Sequence, residues 1–221
     1  MKFRFEKMSE PSRRAFAKWL AVGVSICSIS VRKAMASGMS QTPEQTEGPF
    51  YPTAFPEDID ANLLQINGRA SQSEGLPIQI GGRVIDTDGN IVSGATVEIW
   101  QCDSFGTYHH SSDTGRMDPN FQGFGRTVTG EDGSYMFQTI KPAAYPGRTP
   151  HVHFKVKMPG YRILTTQMYF PDEYAHNMRD GIYRSLSSHQ RNQVTADLVS
   201  NGEGNKAATH CRFNITLQVL V

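Results

Sequence analysis

The chain reads as an all-β protein: an antiparallel β-sandwich with long loops and an irregular N-terminal arm. Two observations lead there. Short segments alternate apolar and polar residues with period two, as in Ile78-Gln79-Ile80, Gly82-Arg83-Val84-Ile85 and Ala95-Thr96-Val97-Glu98-Ile99-Trp100, the pattern of a strand with one covered face. Asp-Gly and Pro-Gly turn signals punctuate them, among them Asp88-Gly89 and Asp132-Gly133, and many short strands spaced by such turns build sandwiches. Further strands are expected at Tyr135 to Phe137, His151 to Lys157, Leu164 to Phe170 and Arg212 to Val221. The stretch from Pro171 to about Gln193 suits short helical turns, and 200–208 reads as a mobile loop. No internal repeat and no domain linker interrupts the pattern.

Ahead of the sandwich, residues 1–36 read as a twin-arginine signal peptide. Ser12-Arg13-Arg14-Ala15-Phe16-Ala17-Lys18 is followed by a modest apolar run, Trp19 to Val31, and by Ala34-Met35-Ala36, an A-x-A-like cleavage site. The apolar run is shorter than the ~20 residues a membrane span needs. The expectation is export by the twin-arginine route to the periplasm, with no membrane association after cleavage. Residues 37–76 form the arm, with the knot Glu47-Gly48-Pro49-Phe50-Tyr51-Pro52, and 77–221 the sandwich. Of the 22 Lys/Arg and 21 Asp/Glu, eight and two lie in the leader, which leaves 14 and 19 and a net charge of −5. That charge gives no support for nucleic-acid or anionic-membrane partners. Cys102 and Cys211 are compatible with either a disulfide or two buried thiols in an exported protein.

The chemistry concentrates in Tyr145-Pro146-Gly147-Arg148-Thr149-Pro150-His151-Val152-His153 and in Tyr108. Alternation over His151 to Lys157 sends Val152, Phe154 and Val156 to the core and both histidines to the opposite face, a few ångströms apart. By itself this pattern equally describes a solvated surface strand, and a lone tyrosine after a strand is ordinarily a packed aromatic. Two phenols beside two imidazoles are less ordinary. Phenolate is a hard, anionic donor that suits ferric iron, whereas zinc draws on Cys, His and carboxylate.

The run from Asp118 to His153 resembles the iron-binding region of the intradiol ring-cleavage dioxygenases, most closely the protocatechuate 3,4-dioxygenase β-chain branch. The matching words are Asp118-Pro119-Asn120-Phe121, Gly125-Arg126, Asp132-Gly133-Ser134-Tyr135, Thr139-Ile140-Lys141-Pro142, Tyr145-Pro146 and Arg148-x-Pro150-His151-x-His153. Trp100-Gln101, Gly106-x-Tyr108 and Thr166-Gln167-Met168-Tyr169-Phe170 extend the match over most of the mature chain. The resemblance implies one non-haem Fe(III) per chain, with Tyr108 and His151 equatorial, Tyr145 and His153 axial and a hydroxide in the fifth place. It implies that Arg148 stabilises the ketonised substrate and that Gln167 stands in the second sphere. The implied reaction is O2-dependent cleavage of a small aromatic diol between its two hydroxylated carbons, giving a cis,cis-muconate-type product. Two phenolates and a hydroxide neutralise ferric iron, which a partly buried site favours. Relatives of this family form homo- or hetero-oligomers, so a partner chain is possible. One departure is the two-residue link between Tyr145 and Arg148, where larger relatives carry a long insert; it bears on the pocket wall. Ala143-Ala144 also replaces a Gly-Pro pair usual before the tyrosine.

Other residues read more plainly. His109 and His110 belong to a solvated loop, with His110 also placed to line the pocket mouth; His176, His189 and His210 read as surface, Trp100 as core, and Met136, Met158 and Met168 as packing residues. Two other functions compete. Gly82-Arg83-Val84 through Gly94-Ala95-Thr96-Val97 resembles the strand pair of transthyretin-like modules, so the alternative is a non-catalytic β-sandwich binding module, which leaves the tyrosines, the histidine pair and Arg148 unexplained. A zinc or copper hydrolase would need a carboxylate base beside the histidines, and none is placed there.

Overall fold

Among the described residues nine strands form two sheets, β1 (Pro77–Asp86), β2 (Thr96–Trp100), β3 (Phe124–Val128), β4 (Ser134–Ile140), β5 (His151–Lys157), β6 (Leu164–Tyr169), β7 (Asp197–Val199), β8 (Thr209–Arg212) and β9 (Ile215–Leu217). The structure, a computed structural model, describes residues 38–199 and 209–220. The leader at 1–36 and the loop expected at 200–208 lie outside the described residues. Among those described, no helix is long and apolar enough to cross a membrane.

One sheet runs β4-β1-β8-β7 with β9 also on β1; the other runs β3-β2-β5-β6. Ile78, Ile80, Val84, Tyr135 and Phe137 from the first meet Val97, Ile99, Val152, Phe154 and Val156 from the second, all buried. Each large apolar side chain so covered contributes about 1.5–3 kcal/mol. This is the sandwich expected from the alternation, and β5 spans the residues expected of it.

The C-terminal strand does not run unbroken. Instead of one segment from Arg212 to Val221, β8 and β9 pair in turn with β1, both in parallel. The cause is a close crossing at Gly82, where a Cβ would stand 1.9 Å from the Phe213 carbonyl oxygen. There the Asn214 Oδ1 replaces a backbone acceptor for the Arg83 N–H at 3.0 Å. Strands β3 and β7 carry no clear alternation and escape the sequence pattern. The helical turns after β6 are real: a 3-10 turn at Pro171–Glu173, then α1 (Tyr174–Asn177), α2 (Gly181–Ser185) and α3 (Ser188–Val194). Ser187 and Gln190 close a capping box on α3.

The arm forms no helix and only an isolated bridge, Asn62 to Gln138. It is held down by backbone bonds to both sheets, including Gln45 N to Thr165 O at 2.8 Å, Arg126 N to Ile59 O at 2.8 Å and Leu63 N to Gln138 O at 2.8 Å. It therefore covers the outer face of the second sheet, which a free sandwich would give to water.

The structure settles several single-residue expectations, some as corrections. Cys102 and Cys211 are both free and buried, with no disulfide between them. Met136 alternates outward on β4 and is exposed, while Met158 and Met168 do pack. His210 is half-buried on β8 rather than on the surface. His109 and His110 are also half-buried; His109 Nε2 faces Asp103 Oδ2 at 3.7 Å, and His110 Nε2 is covered without a hydrogen-bond partner among the described residues. His176 is exposed and pairs with Glu173 at 2.7 Å.

Candidate active site

On β5 the two histidines point away from the sandwich core, yet both are buried: His151 packs among Tyr108, Tyr145 and Tyr169, and His153 lies against Trp100 and the arm at Gly48. Gly48 turns the arm beside the His153 ring with a positive φ of 71°, a conformation that favours glycine. Cross-strand register sets the neighbours. Trp100 stands opposite His153 on β2 and Gln167 opposite it on β6. The Trp100 ring stacks flat on His153, with centroids 4.7 Å apart and planes 12° apart.

Tyr108 arrives from a loop built around Asp103, whose side chain is fully buried. Its Oδ1 accepts from the N–H groups of Phe105 (2.8 Å) and Thr107 (3.1 Å), and its Oδ2 from that of Asp118 (2.8 Å). Gly106 completes the turn at φ 81°. Asp113 takes the Tyr108 N–H at 2.9 Å. Burial pushes the Asp103 carboxyl up, but these donors and His109 outweigh it and hold the group below its usual range. The carboxylate thus keeps its charge and the turn its shape.

The four residues come together. Tyr108 Oη lies 3.3 Å from His151 Nε2. The Tyr108 and Tyr145 rings meet edge to face at 5.9 Å, Tyr145 and His151 lie 5.7 Å apart, and the two histidine rings 4.9 Å. His151 Nδ1 faces the Thr149 carbonyl at 2.6 Å. A ring N–H donated there leaves the Nε2 lone pair toward the phenols, the second-sphere arrangement that orients metal-bound imidazole. Among the described residues His153 Nδ1 has no hydrogen-bond partner.

Electrostatics reinforce this. Burial, with Arg148 adding, lowers His151 to about 4, and burial beside His151 drops His153 well below the ordinary range. Both rings are therefore neutral and free to donate. Burial raises Tyr108 well above the phenol range, with Tyr145 adding to it, and burial raises Tyr145 despite the opposing charge of Arg148. Without a strong cation neither phenol ionises near neutrality. Among the described residues, no three His, Cys, Asp or Glu side chains cluster to hold a metal. A cation here would need the tyrosines, so the donor set fits a hard trivalent ion better than zinc.

Arg148 is clamped. Its Nε donates to Asp180 Oδ2 at 2.8 Å and its Nη2 to Gln167 Oε1. Asp180 is buried and saturated: the same Oδ2 takes the Thr149 N–H at 3.1 Å, while Oδ1 caps α2 through Ile182 N and Tyr183 N. Gln167 Nε2 donates to the Thr46 carbonyl of the arm at 3.0 Å. Arg148 and Gln167 therefore stand where the motif pointed. Asp180, Asp103 and Asp113 were not anticipated; only the Asp103-x-x-Gly106 turn left a readable trace.

With this geometry in view, the chain belongs to the intradiol ring-cleavage dioxygenase family, whose members use non-haem iron. A dioxygenase family model matches residues 46–219, which does not favour the non-catalytic module. The chain is 36% identical over 158 residues to the protocatechuate 3,4-dioxygenase β chain of Burkholderia cepacia, covering 65% of this chain and 67% of that one. To the catechol 1,2-dioxygenase of Candida albicans it is 27% identical over 190 residues, 73% of this chain and 59% of the relative. It thus spans well under two thirds of the latter's length. Among solved structures, the dioxygenase domain of a dioxygenase carbohydrate-binding fusion from Streptomyces sp. SirexAA-E aligns with TM-score 0.64 and 30% identity, over 82% of this chain and all of that domain.

Proposed function

We propose that the chain is a non-haem Fe(III) dioxygenase that cleaves a catechol-type ring between its two hydroxylated carbons to give a cis,cis-muconate-type product. The observation that carries this reading is the meeting of two phenols and two neutral imidazoles in one buried pocket beside a clamped arginine. Tyr108, Tyr145, His151 and His153 would hold the iron. Bound there, ferric iron supplies a Lewis-acidic centre that draws electron density from a bound catecholate.

The protein's own groups divide the remaining work. Tyr145 is half-buried where Tyr108 is fully buried, so Tyr145 is the phenol with room to move aside. Burial makes its phenolate a strong base, able to hold a proton taken from a substrate hydroxyl. Arg148 offsets negative charge that develops on substrate oxygen, and fixed charge of this kind is commonly worth about 3 kcal/mol. Asp180 and Gln167 keep the guanidinium from swinging. The arm, with Phe50 stacked on Tyr108 at 4.4 Å, keeps water from the imidazoles.

In this reading residues 1–36 direct twin-arginine export to the periplasm, 37–76 form the covering arm and 77–221 the catalytic sandwich. The protocatechuate 3,4-dioxygenase relatives, named as α and β chains, support an oligomer. The test is spectroscopic and kinetic. Iron-loaded protein should be burgundy from tyrosinate-to-iron charge transfer and should consume oxygen with catechol. A colourless protein carrying one iron per chain would refute the proposal.

A further inference from the structure

A second feature of the molecule is not used by any role assigned so far. Between the arm and the ends of β2 and β3 lies a cavity of about 750 Å³, inside the range of small-molecule sites. A single catechol ring would leave most of it empty. Its walls are aromatic: Phe50, Trp100, Tyr108, Phe121 and Phe124 all line it. Three of these adjoin the candidate iron site, since Tyr108 belongs to it, Phe50 stacks on Tyr108, and Trp100 stacks on His153.

Polar groups line the cavity as well. Gln122 and Trp100 both line it, and both are buried. Among the described residues, Gln122 Oε1, an acceptor, and Trp100 Nε1, a donor, are covered and have no hydrogen-bond partner. The rim carries two carboxylates, Glu57 and Asp58, and one guanidinium, Arg69, which already donates to the Pro119 carbonyl. With two carboxylates against one guanidinium the rim is net negative, which disfavours an anionic substituent. Flat apolar walls favour a neutral aromatic ring by stacking and burial.

We infer that this cavity is the subsite for an aryl substituent on the ring being cleaved, and that the preferred substrates are neutral aryl-substituted catechols. The inference rests on the ring-cleavage reading above. The second ring lies against Phe50 and Phe124.

The experiment uses the iron-loaded protein, with Ala54→Trp and Met117→Trp as separate variants. Both positions are exposed and line the cavity, so either indole narrows it. Oxygen uptake gives kcat/KM for 4-phenylcatechol and catechol, and calorimetry follows binding of 4-hydroxybiphenyl, which cannot be cleaved. The expected ratio favours 4-phenylcatechol by roughly tenfold or more, as burial of one aryl ring predicts. Each variant should bring that ratio to about one and weaken 4-hydroxybiphenyl binding at least tenfold. Cleavage of catechol with a ratio at or below one, or a preference that survives both variants, overturns the aryl subsite and leaves the ring-cleavage reading standing. Tight 4-hydroxybiphenyl binding, lost in both variants of a protein that cleaves no catechol, would instead overturn ring cleavage while keeping the aromatic site.

Discussion

Two polar clusters share the outer face of the second sheet, and they are built on opposite principles. One row lower than His153, Glu98 on β2 stands between Arg126 on β3 and Lys155 on β5. Glu98 is buried and saturated: Arg126 Nη2 donates at 2.9 Å, Lys157 Nζ at 2.9 Å and the Tyr51 hydroxyl at 2.9 Å. The row above holds His153 and Trp100, each with a buried nitrogen that no group among the described residues satisfies. Buried polar groups are normally paired, and the first cluster obeys that rule. The second breaks it where the donor atoms converge. The lesson is that the saturated cluster secures the arm, whereas the unsaturated one is kept for something the protein must bind.

The sharpest way to break that contrast is to remove a donor from the open cluster. Tyr108→Phe keeps the ring that stacks on Phe50 and deletes only the oxygen. Under the proposed ligation it should lower iron affinity by more than the 10–100-fold typical of second-sphere changes. The burgundy colour should bleach and oxygen uptake with catechol should vanish, with thermal stability of the metal-free protein little changed. Iron content, visible absorption and a melting curve check it together. A variant that keeps colour and turnover removes Tyr108 from the ligand set.

A smaller effect is expected one shell out, at Asp180. Asparagine has one acceptor oxygen where the carboxylate uses two, so Asp180→Asn must release either the α2 cap or Arg148. A freed guanidinium displaced by about 1 Å can cost on the order of 10²-fold in rate. The loss should fall on kcat with iron content and colour retained, which separates positioning from ligation. Burial pushes Asp180 up, yet Arg148 and the backbone N–H groups outweigh it and hold the carboxyl below its usual range. Its folded-state pKa is therefore depressed. Its contribution to stability is present above the ordinary carboxylate range and is lost as pH falls through the folded value. The variant should show less acid destabilisation than the native chain; an unchanged acid limb would contradict the assignment.

Glu98 probes the saturated cluster. Burial raises its carboxyl, but Lys157, Tyr51 and Arg126 outweigh that and hold it low, so the same sign applies. Glu98→Gln leaves two cations without their counter-charge, and breaking such a buried group costs about 3 kcal/mol. Tyr51, raised to about 12 by burial and by Glu98, should titrate closer to an ordinary phenol. The iron colour should persist, because the loss is one of stability. A melting curve and a phenol titration decide it. If colour is lost in folded protein, the two clusters are one functional unit and the comparison fails.

How much of this could be read beforehand follows from sequence distance. The β5 strand with its two histidines declares itself through alternation, and Tyr145 and Arg148 sit beside it in the chain. Strand β3 does not, because Gly125 breaks its pattern for a non-local reason: a Cβ there would lie 2.8 Å from the Asp60 carbonyl of the arm. The split between β8 and β9 hangs on Gly82, over 100 residues away from the Phe213 backbone it accommodates. Asp180 is separated from Arg148 by 32 residues, and nothing local distinguishes it from an ordinary helix cap. Motif residues were legible; the groups that hold them in place were not, since those contacts exist only after folding.

The last and smallest expectation concerns the face that has no arm. Met136 on β4 points outward from the first sheet and is 49% exposed, the geometric counterpart of the covered positions on β5. If coverage by the arm is what turns a sheet face into a site, the uncovered face should be tolerant. Met136→Lys should change stability by no more than about 0.5 kcal/mol, as surface substitutions usually do. The equivalent change on the covered face, Gln167→Lys, would bury a cation beside Arg148 and should destabilise several-fold more. Paired denaturation curves test the contrast directly: similar costs at the two positions would mean that alternation alone, without the arm, accounts for both faces.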